Sequence, residues 1–110
     1  MSNPSGSVPD PAPIFAALGD RTRLALLGRL GDGSAQSITA LSADTHLTRQ
    51  AVTKHLRVLE RAGLVHALKQ GRESRFAIQP RRIEEARSYL DRVAQQWDDA
   101  LSRIRTFVEN

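Results

Sequence analysis

The period of apolar and polar positions changes several times along the chain, and each change marks an element. Residues Met1 to Pro13, MSNPSGSVPDPAP, have no period and little to bury. A disordered tail over 1–13 is therefore expected ahead of a folded unit over 14–110. Ile14 to Leu18 read as a short apolar helix ending at Gly19. Asp20 then suits the N-cap of a second helix, DRTRLALLGRL, with Leu24, Leu27 and Leu30 facing inward and Gly31, Asp32 and Gly33 closing it. Ser37 caps a third, short helix through Ile38, Leu41 and Ala43, and the turn ADTHL leads on to Thr48.

From Thr48 the pattern is helical again as far as Gly63, a residue able to turn left-handed after a helix. Val52, Leu56 and Leu59 form one apolar stripe, while Arg49, Gln50, Thr53, Lys54 and Arg57 collect on the opposite side without a carboxylate among them. A short capped helix, a tight turn and a longer capped helix make a helix-turn-helix unit. Beyond Gly63 the pattern becomes extended. Leu64 to Lys69 and Ser74 to Ile78 flank the polar turn QGRE and predict a β-hairpin, the wing of a winged helix given its place after the longer helix. Pro80 ends it, and one long helix is expected from about Arg81 to Val108.

In that last helix Ile83, Leu90, Trp97 and Ile104 recur every seventh residue, as do Ala86, Val93, Ala100 and Phe107, with Leu101 and Val108 widening the seam. A helix of about 27 residues is about 40 Å long, more than a small domain covers with its own core. A two-fold homodimer is expected, with Ile14, Phe15, Leu18, Leu90, Val93, Trp97, Leu101, Ile104, Phe107 and Val108 at the interface. The competing reading folds the helix wholly onto its own subunit. The fold class is thus mainly α with a small β-hairpin: a winged helix-turn-helix with a long C-terminal dimerisation helix.

Charge sharpens the picture. The 110 residues carry a net +4. Between Thr48 and Arg75 lie Arg49, Lys54, Arg57, Arg61, Lys69, Arg72 and Arg75 against Glu60 and Glu73, so this segment holds +5 and the remainder sums to −1. A positive field confined to one region suits a polyanion. Arginine forks onto guanine, glutamine pairs with adenine, threonine meets a base edge or a thymine methyl, and lysine neutralises phosphate. The alternatives are a solvated amphipathic helix and a hairpin whose charged edges block strand pairing.

The absence of cysteine removes disulfides, thiolate metal sites and thiol nucleophiles together. His46, His55 and His66 are scattered. His55, between the buried and polar faces of its helix, suits a phosphate contact or core packing. Asp98, Asp99 and Glu109 suit a solvated surface better than a hard-cation site. No phosphate-binding glycine loop or acid-base constellation is present, so neither enzyme activity nor a cofactor is expected. With no apolar run near the roughly 20 residues of a membrane helix and no signal-peptide pattern, a cytoplasmic protein is expected.

Taken together, LGDRTRLALLGRL at Leu18 to Leu30, LTRQAVTKHLRVLERAGLV at Leu47 to Val65 and QGRESRFAI at Gln70 to Ile78 resemble the second helix, recognition helix and wing of the ArsR family of bacterial winged-helix repressors. The terminal YLDRVAQQWDDALSRI, with Trp97 and Leu101, is similar to that family's metal-free, autorepressor-like branch. Arg21 departs from the family's usual proline at the start of the second helix. Metal-responsive relatives use cysteines where this chain has Ile38 to Ala43, or His and acidic ligands in the terminal helix. Here there is no cysteine, and Tyr89 to Asn110 contains no histidine, so no metal site of the family type is expected.

The resemblance implies a homodimeric repressor on an inverted-repeat operator in double-stranded DNA. Thr48 would cap the recognition helix and touch phosphate, and Arg49, Gln50 and Thr53 would read bases. Lys54, Arg57, Lys69, Arg72 and Arg75 would hold the backbone. The alternative is a winged-helix interaction module that binds another protein and no DNA. A small-molecule effector is left unassigned: the seam around Tyr89, Val93 and Trp97 could enclose an apolar cavity, but a packed aromatic is the ordinary reading.

Overall fold

A computed structural model describes residues 10–43 and 45–109. The expected tail therefore lies outside the described residues up to residue 9, as does Asp44 in the turn before Thr48. The elements run α1 (Ala12–Leu18), α2 (Arg21–Arg29), β1 (Gln36–Ser37), α3 (Ile38–Ser42), α4 (Arg49–Arg61), β2 (Val65–Gln70), β3 (Glu73–Ile78) and α5 (Pro80–Glu109). This is the mainly helical winged helix-turn-helix that the pattern predicts. α1 begins two residues earlier than expected, because Pro13 is accommodated in a first turn whose amide would be unbonded anyway.

Local chemistry sets the helix starts. The Asp20 carboxylate accepts from the Arg23 amide at 2.9 Å, the Ser37 hydroxyl from Ala40 at 3.1 Å and the Thr48 hydroxyl from Ala51 at 3.0 Å. Each side chain satisfies one of the amides a helix leaves free at its N-terminus. The core is then assembled from the apolar stripes: Leu26, Leu27 and Leu30 of α2, Leu41 of α3, Val52, Leu56 and Leu59 of α4, and Phe76 of β3. Burying a leucine fully is worth about 1.5–3 kcal/mol, so the α4 stripe alone anchors that helix firmly.

Leu24 corrects the sequence reading. It is 53% exposed, and Leu26 takes the inward place instead. The inward face of α2 is set by Leu26, Leu27 and Leu30, and Leu24 falls off that face. The sheet is also larger than a hairpin. β1 pairs antiparallel with β3, Gln36 against Phe76 and Ser37 against Arg75, giving strand order β1-β3-β2. Two residues carry too little pattern to announce a strand; their extended conformation is supplied by the β3 edge. In the wing itself Gln70 faces Glu73, so the turn is only Gly71 and Arg72, and Gly71 adopts φ +62°.

α5 starts at Pro80 itself and, at about 1.5 Å per residue over its 30 residues, extends about 45 Å. Only its first turns lie on the body of the subunit. Ala86 is buried, Ile83 packs against the core, and Tyr89 meets the Phe15 ring at 5.9 Å. Beyond that the seam faces solvent: Leu90, Trp97, Leu101, Ile104, Phe107 and Val108 are all exposed, Trp97 by 66% and Phe107 by 82%. One expected interface residue is corrected here. Ile14 is 0% exposed within its own subunit and belongs to the core, leaving the half-buried Phe15 and Leu18 as the free apolar positions of α1.

Gly63 joins α4 to β2 at φ +79°, and a Cβ there would lie 2.6 Å from Cγ of Arg82. The Arg82 side chain is held across that point, donating to the Ala62 carbonyl at 3.4 Å and pairing with Glu85. Gly63→Ala combines left-handed backbone strain with this clash and is expected to cost at least about 1–2 kcal/mol. A melting temperature unchanged by the substitution would contradict this reading of the junction.

Candidate nucleic-acid interface

Because Val52, Leu56 and Leu59 point into the core, helical geometry turns Arg49, Gln50, Thr53 and Lys54 the other way. These four side chains and Ile38 of α3 line one open groove. A second, adjoining groove runs between the start of α3, the start of α4 and the wing, and it brings Arg49 beside Arg72 with Ser37, Thr39, Glu73 and Ser74. The recognition helix and the wing thus present a continuous surface. Arg49, Lys54, Lys69 and Arg72 are exposed and make no ion pair among the described residues.

Other basic residues are committed within the fold. Arg75 donates to Glu73 at 2.9 Å and to the Ala35 carbonyl at 3.4 Å, which ties β3 to the chain entering β1. Arg57 donates to Glu60 at 2.8 Å and stacks 5.4 Å from the centroid of the buried Phe76 ring. Both are half-exposed pairs, worth little each, but they hold the guanidinium groups against the subunit. These pairings were foreshadowed by spacing: Arg57 and Glu60 lie three apart on a helix, and Glu73 and Arg75 two apart on a strand. The Thr53 hydroxyl donates to the Arg49 carbonyl at 2.7 Å, so its methyl is the more available part of the side chain.

His55 lies behind the polar face, not on it. Nη1 of Arg23 is 3.3 Å from its Nδ1, a contact that guanidinium, which only donates, makes with that nitrogen as acceptor. The 3.7 Å approach to Asp20 is too long for a hydrogen bond and becomes an ion pair only with a protonated ring. Arg23 also donates to the Ala17 carbonyl at 2.6 Å and to Ala16 at 3.4 Å, capping the end of α1. One guanidinium therefore ties α1 and α2 to the back of α4. His46 and His66 are both exposed, in the turn and in β2. Among the described residues no three His, Asp or Glu side chains converge as a metal site, and no helix is long and apolar enough to cross a membrane.

Ile38 is the groove residue that pattern reading placed only as part of the short third helix, with no site role. It is half-buried, with one side against the core and the other in the groove of Arg49 and Gln50. The only sequence signal was its place directly after the Ser37 cap.

Comparison with known proteins agrees with this architecture. The helix-turn-helix domain family matches residues 18–66. The uncharacterized HTH-type transcriptional regulator YuzN of Bacillus subtilis is 42% identical over 65 residues, covering 54% of this chain and 71% of that protein. HTH-type transcriptional regulator Rv2034 of Mycobacterium tuberculosis is 32% identical over 100 residues, covering 91% and 90% respectively. Among solved structures, an ArsR-like transcriptional regulator from Rhodococcus sp. RHA1 superposes with a TM-score of 0.77 at 36% identity, covering 88% of this chain and 91% of that one.

The Asp20 carboxyl, which starts α2 and lies beside the Arg23 to His55 contact, is held below its ordinary pKa of 3.8, chiefly by the Arg23 amide and further by the Arg23 and His55 charges. Asp32 is lowered as well, by the hydroxyl and amide of Ser34. A depressed carboxyl contributes stability that is complete above the unfolded value and is lost as pH falls through the folded one. Urea midpoints should therefore decline as the solution is acidified below about pH 4. Asp20→Asn keeps a capping oxygen but cannot titrate, and should show a shallower decline; parallel pH curves for the two proteins would refute the assignment.

Proposed function

Since the chain belongs to the ArsR family of winged-helix transcriptional regulators, we propose that it acts as a repressor that binds an inverted-repeat operator in double-stranded DNA as a homodimer. The observation that carries the reading is the α4 face. Arg49, Gln50, Thr53 and Lys54 stand outward without a carboxylate, on a helix whose opposite stripe is immobilised in the core. Arg49 and Gln50 have the fork and amide geometries that match guanine and adenine edges, and Thr53 offers its methyl. Thr48 caps the helix and lies where a phosphate would approach its first turn. Lys54, Lys69 and Arg72 neutralise backbone phosphates. Arg57 and Arg75 act on the backbone only after yielding their internal partners, so in this reading they contribute less.

The homodimer is supported by the solvent-facing seam of α5. An apolar row from Leu90 to Val108, continuous with Phe15 and Leu18 of α1, is far larger than scattered surface leucines require. In a two-fold pair that reads an inverted repeat, the two α4 helices would enter successive major grooves one duplex turn, about 34 Å, apart. Exclusion of polymerase from an overlapping promoter then gives repression.

Binding of duplexes selected from a random pool tests the DNA reading. Arg49→Ala should lose about 1–3 kcal/mol on the preferred duplex and discriminate less against a scrambled one, whereas Lys69→Ala should weaken both alike and lower the salt slope by about 1. Unaltered discrimination in Arg49→Ala would remove it from the base-reading set. Trp97→Asp, on a residue already exposed in the subunit, should leave circular dichroism intact and shift sedimentation from dimer to monomer; a persistent dimer would relocate the interface.

A further inference from the structure

We infer that Ile38, which belongs to the supporting helix α3, forms with the Thr53 methyl a pocket that recognises the C5-methyl of one thymine in each half-site. The inference rests on the DNA-binding reading above and adds a specificity-determining residue from outside the recognition helix. Three observations carry it. Ile38 shares one groove with Arg49, Gln50, Thr53 and Lys54, so it lies among the proposed base-reading side chains. It is wedged against the core on its other side, which fixes it in place and makes it a rigid wall. The Thr53 hydroxyl is engaged with the Arg49 carbonyl at 2.7 Å, so the side chain has carbon left to offer.

A carbon-lined spot between two hydrogen-bonding readers has one natural match in a major groove. Of the groups on base edges there, only the thymine methyl is apolar; every other feature is a donor or an acceptor. Cytosine carries only a hydrogen at C5, so it forfeits the same methyl contact and is disfavoured at that position.

The experiment is a uracil scan. In the duplex selected from a random pool, each thymine is replaced singly by deoxyuridine, which removes the methyl and leaves every hydrogen bond. Burial of one methyl corresponds to roughly a four-fold change in affinity, so one position per half-site should show a loss of about that size. That loss should vanish in Ile38→Ala and shrink in Thr53→Ser, which keeps the hydroxyl bond and discards only the methyl. Should Ile38→Ala fail to fold, Thr53→Ser and Ile38→Val carry the comparison. Tight, salt-sensitive binding with a flat uracil scan, or a uracil loss of equal size in all variants, overturns the pocket and leaves the DNA-binding reading standing. Absence of salt-sensitive binding to any duplex overturns both.

Discussion

The structure depends on burial of one stripe of α4. Val52, Leu56 and Leu59 are fully buried in the core, and every other element except the two-residue β1 contributes at least one apolar residue to the same cluster. Because a helix is rigid on this scale, committing three inward positions fixes the azimuth of all the others. The outward group is therefore determined by the core, not by its own charge. This constraint is why a polar surface composed of long, flexible side chains still has a defined orientation.

A second level of order comes from how the arginines are divided. Arg23, Arg29, Arg75 and Arg82 all donate to backbone carbonyls of other elements: Arg29 to Ala40 and Leu41 at the end of α3, the others at α1, at the entry to β1 and at the end of α4. They act as ties onto the ends of neighbouring elements, where backbone carbonyls have acceptor capacity left over. Arg49 and Arg72, by contrast, stay open on the groove side. A count of basic residues in the segment from Thr48 to Arg75 gives the sign of the field, yet it overstates the charge free to meet a partner.

That division explains what was legible in the sequence. Element types, caps and the α4 stripe follow from local spacing, and Asp20, Ser37 and Thr48 do what their residue types suggest. β1 was invisible because its conformation is imposed by β3, about 40 residues later. Leu24 misled because three neighbouring leucines offer two possible helical faces, and packing against α4 chose the other. Arg75 looked like a wing-tip cation, but its partner at Ala35 is remote in sequence. The outward face of α4 was legible because one helix alone builds it, and the groove that Ile38 shares with it was not, because two elements form it.

Ser37 serves two elements at once. It is the last residue of β1, paired with Arg75 of the wing, and also the hydroxyl that starts α3. Wing and supporting helix consequently share a residue, and neither can swing without dragging the other. A single substitution at that position would therefore disturb the edge of the sheet and the first turn of the supporting helix together.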